Sequence, residues 1–260
     1  MKVAIFVGGR GTRLFGDQAP MPKALFQVGD RPIIWHILRM YMAWDIREFV
    51  LLLGYRGDLI ADYFVNHAAF IDADVRVSGG GSGAPEISIL NSTRDEWHVT
   101  LCPTGVDTEK GDRLRVARQY LMDEPHFMAT YGDGLSDIDL GALADFHESH
   151  GKLATITTVR VHSQWGHVRS DDAGLVTALE EKPMLQSRIN GGFFVFRREV
   201  LDLLEPGDPF ETGLLPRLAS MGELMSYEHD GFWTAMDTYK DNQVLNELWD
   251  AGVAPWKTWA

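Results

Sequence analysis

The sequence predicts an α/β fold built on a mostly parallel, doubly wound sheet with a β-rich elaboration. Three observations predict it. Val3-Ala4-Ile5-Phe6-Val7 is an unbroken apolar run ending in Gly8-Gly9, the pattern of a strand buried on both faces of a parallel sheet. Apolar runs then alternate with segments of helical spacing, which is the order of βαβ units. Residues 74–101 interrupt that alternation with short β-like pieces around Gly79-Gly80-Gly81-Ser82-Gly83, read as a hairpin excursion.

The elements follow in order. Pro32 sits at the favoured start of a helix over Ile33–Tyr41, whose apolar residues keep helical spacing. Glu48–Leu53 is a second strand closed by Gly54, and Leu59–Ala68 a second helix. The excursion is assigned pieces around Val75–Val77, Ile87–Leu90 and Val99–Leu101. Asp112–Met122 is predicted helical, Phe127–Tyr131 a strand, Leu140–His150 a helix and Leu153–Val161 a strand rich in Thr and Val. Ser163–Phe196 is β-like, with a turn at Asp171-Asp172-Ala173-Gly174. A helix from Arg198, another over Leu214–Met221, a strand over Leu224–Glu228 and a closing helix over Asp241–Ala251 complete the chain. No repeat or linker separates independent units, so residues 1–260 are taken as one domain.

Composition narrows the function. At 260 residues the chain can bury a substantial core. A net charge of −13 argues against nucleic-acid binding, which needs Lys and Arg to release counterions. An acidic protein with an anionic substrate must concentrate cations locally. The single cysteine, Cys102, rules out an internal disulfide and fits a reducing compartment. With no signal peptide and no stretch approaching a membrane span, the expected location is cytoplasmic.

The chemistry concentrates in a few stretches. Gly8-Gly9-Arg10-Gly11-Thr12-Arg13-Leu14, followed by Pro22-Lys23, combines glycine turns, a hydroxyl and cationic donors. Backbone amides and guanidinium groups of that kind suit a polyphosphate. It is no Walker A loop, lacking Gly-Lys-Ser/Thr, and no dinucleotide fingerprint, because Leu14 stands where a third glycine is needed. Tyr131-Gly132-Asp133-Gly134 puts a carboxylate at the carboxyl end of a strand, where open α/β sheets bind ligands. Asp237, in Met236-Asp237-Thr238, also follows an apolar stretch. Two such carboxylates can share one Mg²⁺, although an Asp before Thr also reads as a helix cap. Thr104-Gly105 through Thr108 to Gly111-Asp112-Arg113-Leu114 feeds a helix N-terminus, either a phosphate or base-edge contact or an ordinary capped start. Glu181-Lys182-Pro183 and Asn190-Gly191-Gly192-Phe193 offer groups for sugar hydroxyls and a monophosphate, or else surface charges and a turn. The nine histidines show no metal spacing, and no nucleophile elbow is present.

Together these stretches resemble the sugar-1-phosphate nucleotidylyltransferases, most closely the glucose-1-phosphate cytidylyltransferase branch. Pro32-Ile33-Ile34-Trp35-His36-Ile37, Tyr131-Gly132-Asp133-Gly134-Leu135-Ser136-Asp137 and the tail Ala254-Pro255-Trp256-Lys257 carry the branch resemblance, and the glycine loop carries the superfamily's. The resemblance implies a Rossmann-like nucleotidyltransferase fold. Residues 1–140 would mainly serve the nucleotide and 141–260 the sugar phosphate. It implies transfer of a nucleotidyl group from an NTP, most naturally CTP, to a sugar 1-phosphate, most naturally glucose 1-phosphate. Gly8, Gly9, Arg10, Gly11, Thr12 and Arg13 would wrap the triphosphate, with Arg13, Lys23 and Asp133 catalytic. Thr108, Arg113 and Gly132 would lie by the nucleotide. Gly166, Glu181, Lys182 and Asn190 would hold the sugar phosphate, and Asp133 and Asp237 the Mg²⁺. Family members commonly form homo-oligomers. The chain departs from the branch at Met21-Pro22-Lys23-Ala24-Leu25, which lacks one lysine and one proline of the usual pattern, and at Asp112, where glycine is usual. The same chemistry with UTP, dTTP or GTP and an unusual sugar or cyclitol phosphate is the alternative. A non-catalytic nucleotide-sugar sensor is a third reading.

Overall fold

The computed structural model describes residues 1–9, 21–67, 75–78, 86–90 and 96–259. Seven strands form the central sheet: β1 (Lys2–Phe6), β2 (Glu48–Leu53), β3 (His98–Pro103), β4 (His126–Tyr131), β5 (Ala154–Val159), β6 (Ile189–Arg197) and β7 (Leu224–His229). Their order is β7-β5-β6-β4-β1-β2-β3. β1 pairs in parallel with both β2 and β4, and β3 extends the parallel set at one edge. β6 alone runs antiparallel to its neighbours, β4 and β5. From β1 the chain winds outward through β2 and β3, then returns to place β4 on the other side. The C-terminal ends of β1 and β4 therefore form a switch point, where such sheets leave a crevice.

Both faces of the sheet are covered, which explains the uninterrupted apolar run of β1. Val3 and Ile5 pack with helix α1 (Ile33–Met42), with Leu143 of α2 (Leu140–His150), and with Leu245 of α3 (Tyr239–Asp250). Ala4 and Phe6 face the other side, toward Leu114, Phe194, Phe196 and Phe210. The ring of Phe210 lies 5.1 Å from those of Phe6 and Phe194. A fully buried Phe contributes roughly 1.5–3 kcal/mol, so this trio fixes the segment that carries Phe210 against the sheet.

The C-terminal tail is pinned beneath α3. Trp256 is fully buried, and its Nε1 donates to His36 Nδ1 at 3.3 Å. The other ring nitrogen, Nε2, then carries the proton and donates to Val28 O at 2.8 Å. Desolvation pushes the His36 pKa down to about 4, so the ring is neutral at pH 7. Helix α3 opens with a capping box: Thr238 Oγ1 accepts from Asp241 N, and Asp241 Oδ2 accepts from Thr238 N at 2.7 Å.

Several expectations are corrected. Val99–Leu101 belongs to β3 of the central sheet, not to the excursion, because it pairs residue by residue with Phe49–Leu51. The excursion is the hairpin of Val75–Ser78 with Glu86–Ile89, and Gly79–Gly83 lies outside the described residues. The helix expected over Asp112–Met122 is two short helices, Lys110–Val116 and Arg118–Leu121, which meet at Ala117 (ψ 0°). The helix expected over Leu59–Ala68 is regular only over Gly57–Asp62 and widens over Tyr63–His67. Among the described residues no helix is long and apolar enough to cross a membrane.

Candidate active site

A cleft of ≈ 780 Å³ opens at the C-terminal ends of β1 and β4. Gly8 and Gly9 border it at the end of β1, where the backbone leaves the sheet. Arg10, Gly11, Thr12 and Arg13 lie outside the described residues. Gly132 follows β4 and donates its N–H to Phe6 O at 3.1 Å. A Cβ there would stand 2.8 Å from Val7 Cγ1, so only glycine lets the two strand ends approach this closely.

The centre of the cleft is a cation between two carboxylates. Lys23 Nζ donates to Asp133 Oδ2 and to Asp237 Oδ1, each at 2.7 Å. The aspartates are 104 positions apart in the chain, and a small ladder joins them. Gly134–Ser136 pairs antiparallel with Trp233–Ala235, Gly134 opposite Ala235, and Met236 N donates to Asp133 O at 2.9 Å. Each Asp stands just outside that ladder, so the pairing aims both side chains at one point. Asp237 is steadied from behind: its N–H donates to Asp241 Oδ2 at 3.0 Å. Lys23 reaches the same point from a 3₁₀ turn, Lys23–Leu25, that follows Pro22. Lys23 is 15% exposed and Asp133 27%, which shields the pair only partly from solvent screening.

Two carboxylates converging on a site already shaped for a cation suit Mg²⁺, which takes one or two carboxylates and completes its octahedron with water and phosphate oxygens. Among the described residues no group of three or more His, Cys, Asp or Glu forms a cage that would need no substrate.

A second network also lines the cleft. Tyr131 OH donates to Glu211 Oε1 at 3.0 Å and accepts from Asn190 Nδ2 at 3.1 Å. Asn190 Oδ1 accepts from Gly192 N at 2.8 Å, which fixes the amide orientation. Lys110 pairs with Glu211, and its Nζ lies 4.9 Å from the centre of the Tyr131 ring. Burial, then the Glu211 carboxylate, raises the Tyr131 pKa, so the phenol keeps its proton. These groups link the helix that begins at Lys110 and the turn of Phe210–Leu214 to β4 and β6. Sequence reasoning did not single out Lys110 or Glu211. Glu211 is adjacent to Phe210, and only the packing of that ring into the core brings its neighbour here.

Arg113 borders the cleft, and protein acceptors surround its guanidinium. Its guanidinium donates to Leu53 O (3.1 Å), Thr104 Oγ1 (2.6 Å), Gly105 O (2.8 Å), Val106 O (3.2 Å) and Gly8 O (3.4 Å). Desolvation lowers its pKa, with Glu109 and Asp107 opposing. A Cβ on Gly8 or Gly54 would overlap that guanidinium, so these glycines make room for an arginine. Thr108 lines the cleft and donates its hydroxyl to Thr104 O at 2.6 Å. Asn190 lines the cleft, whereas Gly166, Glu181 and Lys182 are not among its lining residues. They flank the exposed hairpin of His167–Ser170 with Val176–Glu180, where Lys182 takes a left-handed φ of 47°.

Comparison with known proteins agrees with this architecture. A family model described as nucleotidyl transferase matches residues 2–241. The glucose-1-phosphate cytidylyltransferases of Salmonella typhi and Salmonella typhimurium are each 40% identical over 261 residues, covering 100% of both chains. Among solved structures, HddC from Yersinia pseudotuberculosis superimposes with a TM-score of 0.66 at 17% identity, covering 95% of this chain and 99% of that one, a likeness of fold.

Proposed function

Since this chain belongs to the nucleotidyl transferase family, we propose that it transfers a cytidylyl group from CTP to glucose 1-phosphate, releasing pyrophosphate and forming CDP-glucose. The observation that carries this reading is the convergence of Lys23, Asp133 and Asp237 at the mouth of the Gly8-Gly9 turn. The choice of CTP and glucose 1-phosphate rests on the full-length likeness to the Salmonella enzymes.

In this reading a phosphate oxygen of the sugar phosphate attacks the α-phosphorus in line. One P–O bond forms, and the bond to the β-phosphate breaks as pyrophosphate departs. The nucleophile is already ionised at neutral pH, so no residue removes a proton. The protein positions two polyanions and offsets their charge. Gly8 and Gly9 give the phosphates close access to the backbone, and Lys23 supplies a mobile cation for the departing pyrophosphate. Arg10, Gly11, Thr12 and Arg13 are assigned to the triphosphate, with Arg13 offsetting charge as pyrophosphate leaves. Mg²⁺, held by Asp133 and Asp237, would add charge neutralisation across the phosphate oxygens. Asn190, held by Tyr131, faces the sugar side, and Glu181, Lys182 and Gly166 join the sugar phosphate from the hairpin. Residues 1–140 serve mainly the nucleotide and 141–260 mainly the sugar phosphate. We also assign the protein to the cytoplasm and to a homo-oligomer. The exposed apolar residues Trp165, Val168, Leu175 and Leu179 of the hairpin region support assembly, to be read by light scattering.

The test is an initial-rate screen of CTP, UTP, dTTP and GTP against several sugar 1-phosphates, scored by pyrophosphate release. The highest kcat/KM is expected for CTP with glucose 1-phosphate. A higher value for another pair would reassign the substrates, and no release with any pair would remove the activity.

A further inference from the structure

We propose that Lys23 is the resident counter-ion of the metal site and keeps a divalent cation out until a nucleoside triphosphate draws its ammonium away. The inference rests on the reading of Asp133 and Asp237 as metal ligands.

Lys23 Nζ is 2.7 Å from one oxygen of each aspartate, which places the ammonium between them. Mg²⁺ binds carboxylate oxygens at about 2.0–2.1 Å. An ion bridging this pair would therefore fall where the ammonium already sits. The two cations repel each other in a partly shielded site, and one must leave. Water alone offers the displaced ammonium little in place of two carboxylates. A triphosphate offers several anionic oxygens in the same cleft, and the lysine stem has the rotatable bonds to follow them. Once the ammonium has moved to phosphate, the position it held between Asp133 Oδ2 and Asp237 Oδ1 passes to a metal ion that also meets phosphate oxygens.

Metal and nucleotide then bind with positive coupling, and the coupling is reciprocal because it is an equilibrium property. Asp237 has further partners besides Lys23, and the inference needs only the shared occupancy at the lysine. Its consequence for the enzyme is order: free metal does not load the protein alone, and the site assembles around bound nucleotide.

Mn²⁺ binding to the full chain, read by electron paramagnetic resonance, tests this without turnover. Wild type should bind Mn²⁺ weakly alone and at least about tenfold more tightly with a non-hydrolysable CTP analogue. Lys23→Met should bind Mn²⁺ without nucleotide at least about tenfold more tightly than wild type. Adding Asp133→Asn in that background should abolish the gain, and Lys23→Arg should restore exclusion. Thermal melting of each variant checks its folding. Equal nucleotide-free binding by wild type and Lys23→Met would overturn the inference while leaving the metal reading intact. Absence of Mn²⁺ binding in every form, with or without the analogue, would overturn the metal reading itself.

Discussion

Replacing Arg113 by methionine separates a nucleotide ligand from a backbone clamp. The guanidinium holds five acceptors on three segments: Gly8 after β1, Leu53 of β2 and residues 104–106 after β3. Methionine fills most of the space and removes every donor. Leu53 O and Gly8 O keep other donors, Thr104 N at 2.9 Å and Tyr55 N at 3.2 Å. The carbonyls of Gly105 and Val106 belong to exposed residues and exchange the arginine for water, whereas the buried Thr104 Oγ1 loses its donor, and a buried acceptor left without a partner costs about 1–3 kcal/mol. A loss of about 2 kcal/mol is expected. With an unfolding entropy of roughly 2 cal/mol/K per residue, a chain of 260 residues should melt about 4 °C lower. Differential scanning calorimetry measures this. Arg113→Lys should recover only part of the loss, since one ammonium cannot reach acceptors on opposite sides of the planar fork. An unchanged melting temperature with a raised KM for the nucleotide alone would refute the clamp and return Arg113 to the ligand.

Other predictions address the rest of the site and the core. Asp133→Asn should lower kcat by about 10²-fold or more while the melting temperature stays near that of wild type, as for a group acting on transition-state charge; a pyrophosphate-release assay decides. Tyr131→Phe, which removes the hydroxyl between Asn190 and Glu211, should raise KM for the sugar phosphate several-fold and leave KM for the nucleotide unchanged. Burial holds His36 at a pKa of about 4 and His147 at about 3. The unfolded chain therefore binds more protons than the folded one below pH 6.5, and stability present above that pH is lost progressively as pH falls toward those values. Each ring contributes a slope of up to about 1.4 kcal/mol per pH unit, so melting temperatures from pH 7.5 to 5 should fall, and less steeply in His147→Gln. Trp256→Ala, which empties a fully buried position, should cost about 3–5 kcal/mol by denaturant titration.

Much of this architecture can be read from residues alone, for reasons that also mark where reading stops. The β1 run is legible because a strand covered on both faces has no polar position to disguise it. Asp133 is legible because it follows such a run between glycines. That Asp237 meets it follows from the family resemblance and not from the chain's own pattern: the ladder joining them has three residues a side, too short for any periodicity. Val99–Leu101 reads as part of the excursion because an edge strand and a hairpin arm share the same short apolar pattern. Arg113 reads as a phosphate or base-edge contact, or as part of a capped helix start, because a chain sequence does not display the carbonyls that surround its guanidinium. Glu211 carries no local signal, since its position derives from the neighbouring Phe210 ring. Gly166, Glu181 and Lys182 flank an exposed hairpin and are absent from the cleft's lining, a placement their local sequence does not display.

The central claim is that two distant aspartates and one lysine form a single metal and triphosphate site. Crystals grown with a non-hydrolysable CTP analogue and Mn²⁺, measured for anomalous scattering, test it most directly. The expected result is one manganese peak bonded to both Asp133 and Asp237, with the phosphates over Gly8 and Gly9 and Lys23 turned onto them. A peak that touches neither aspartate, or a nucleotide bound outside this cleft, would contradict it.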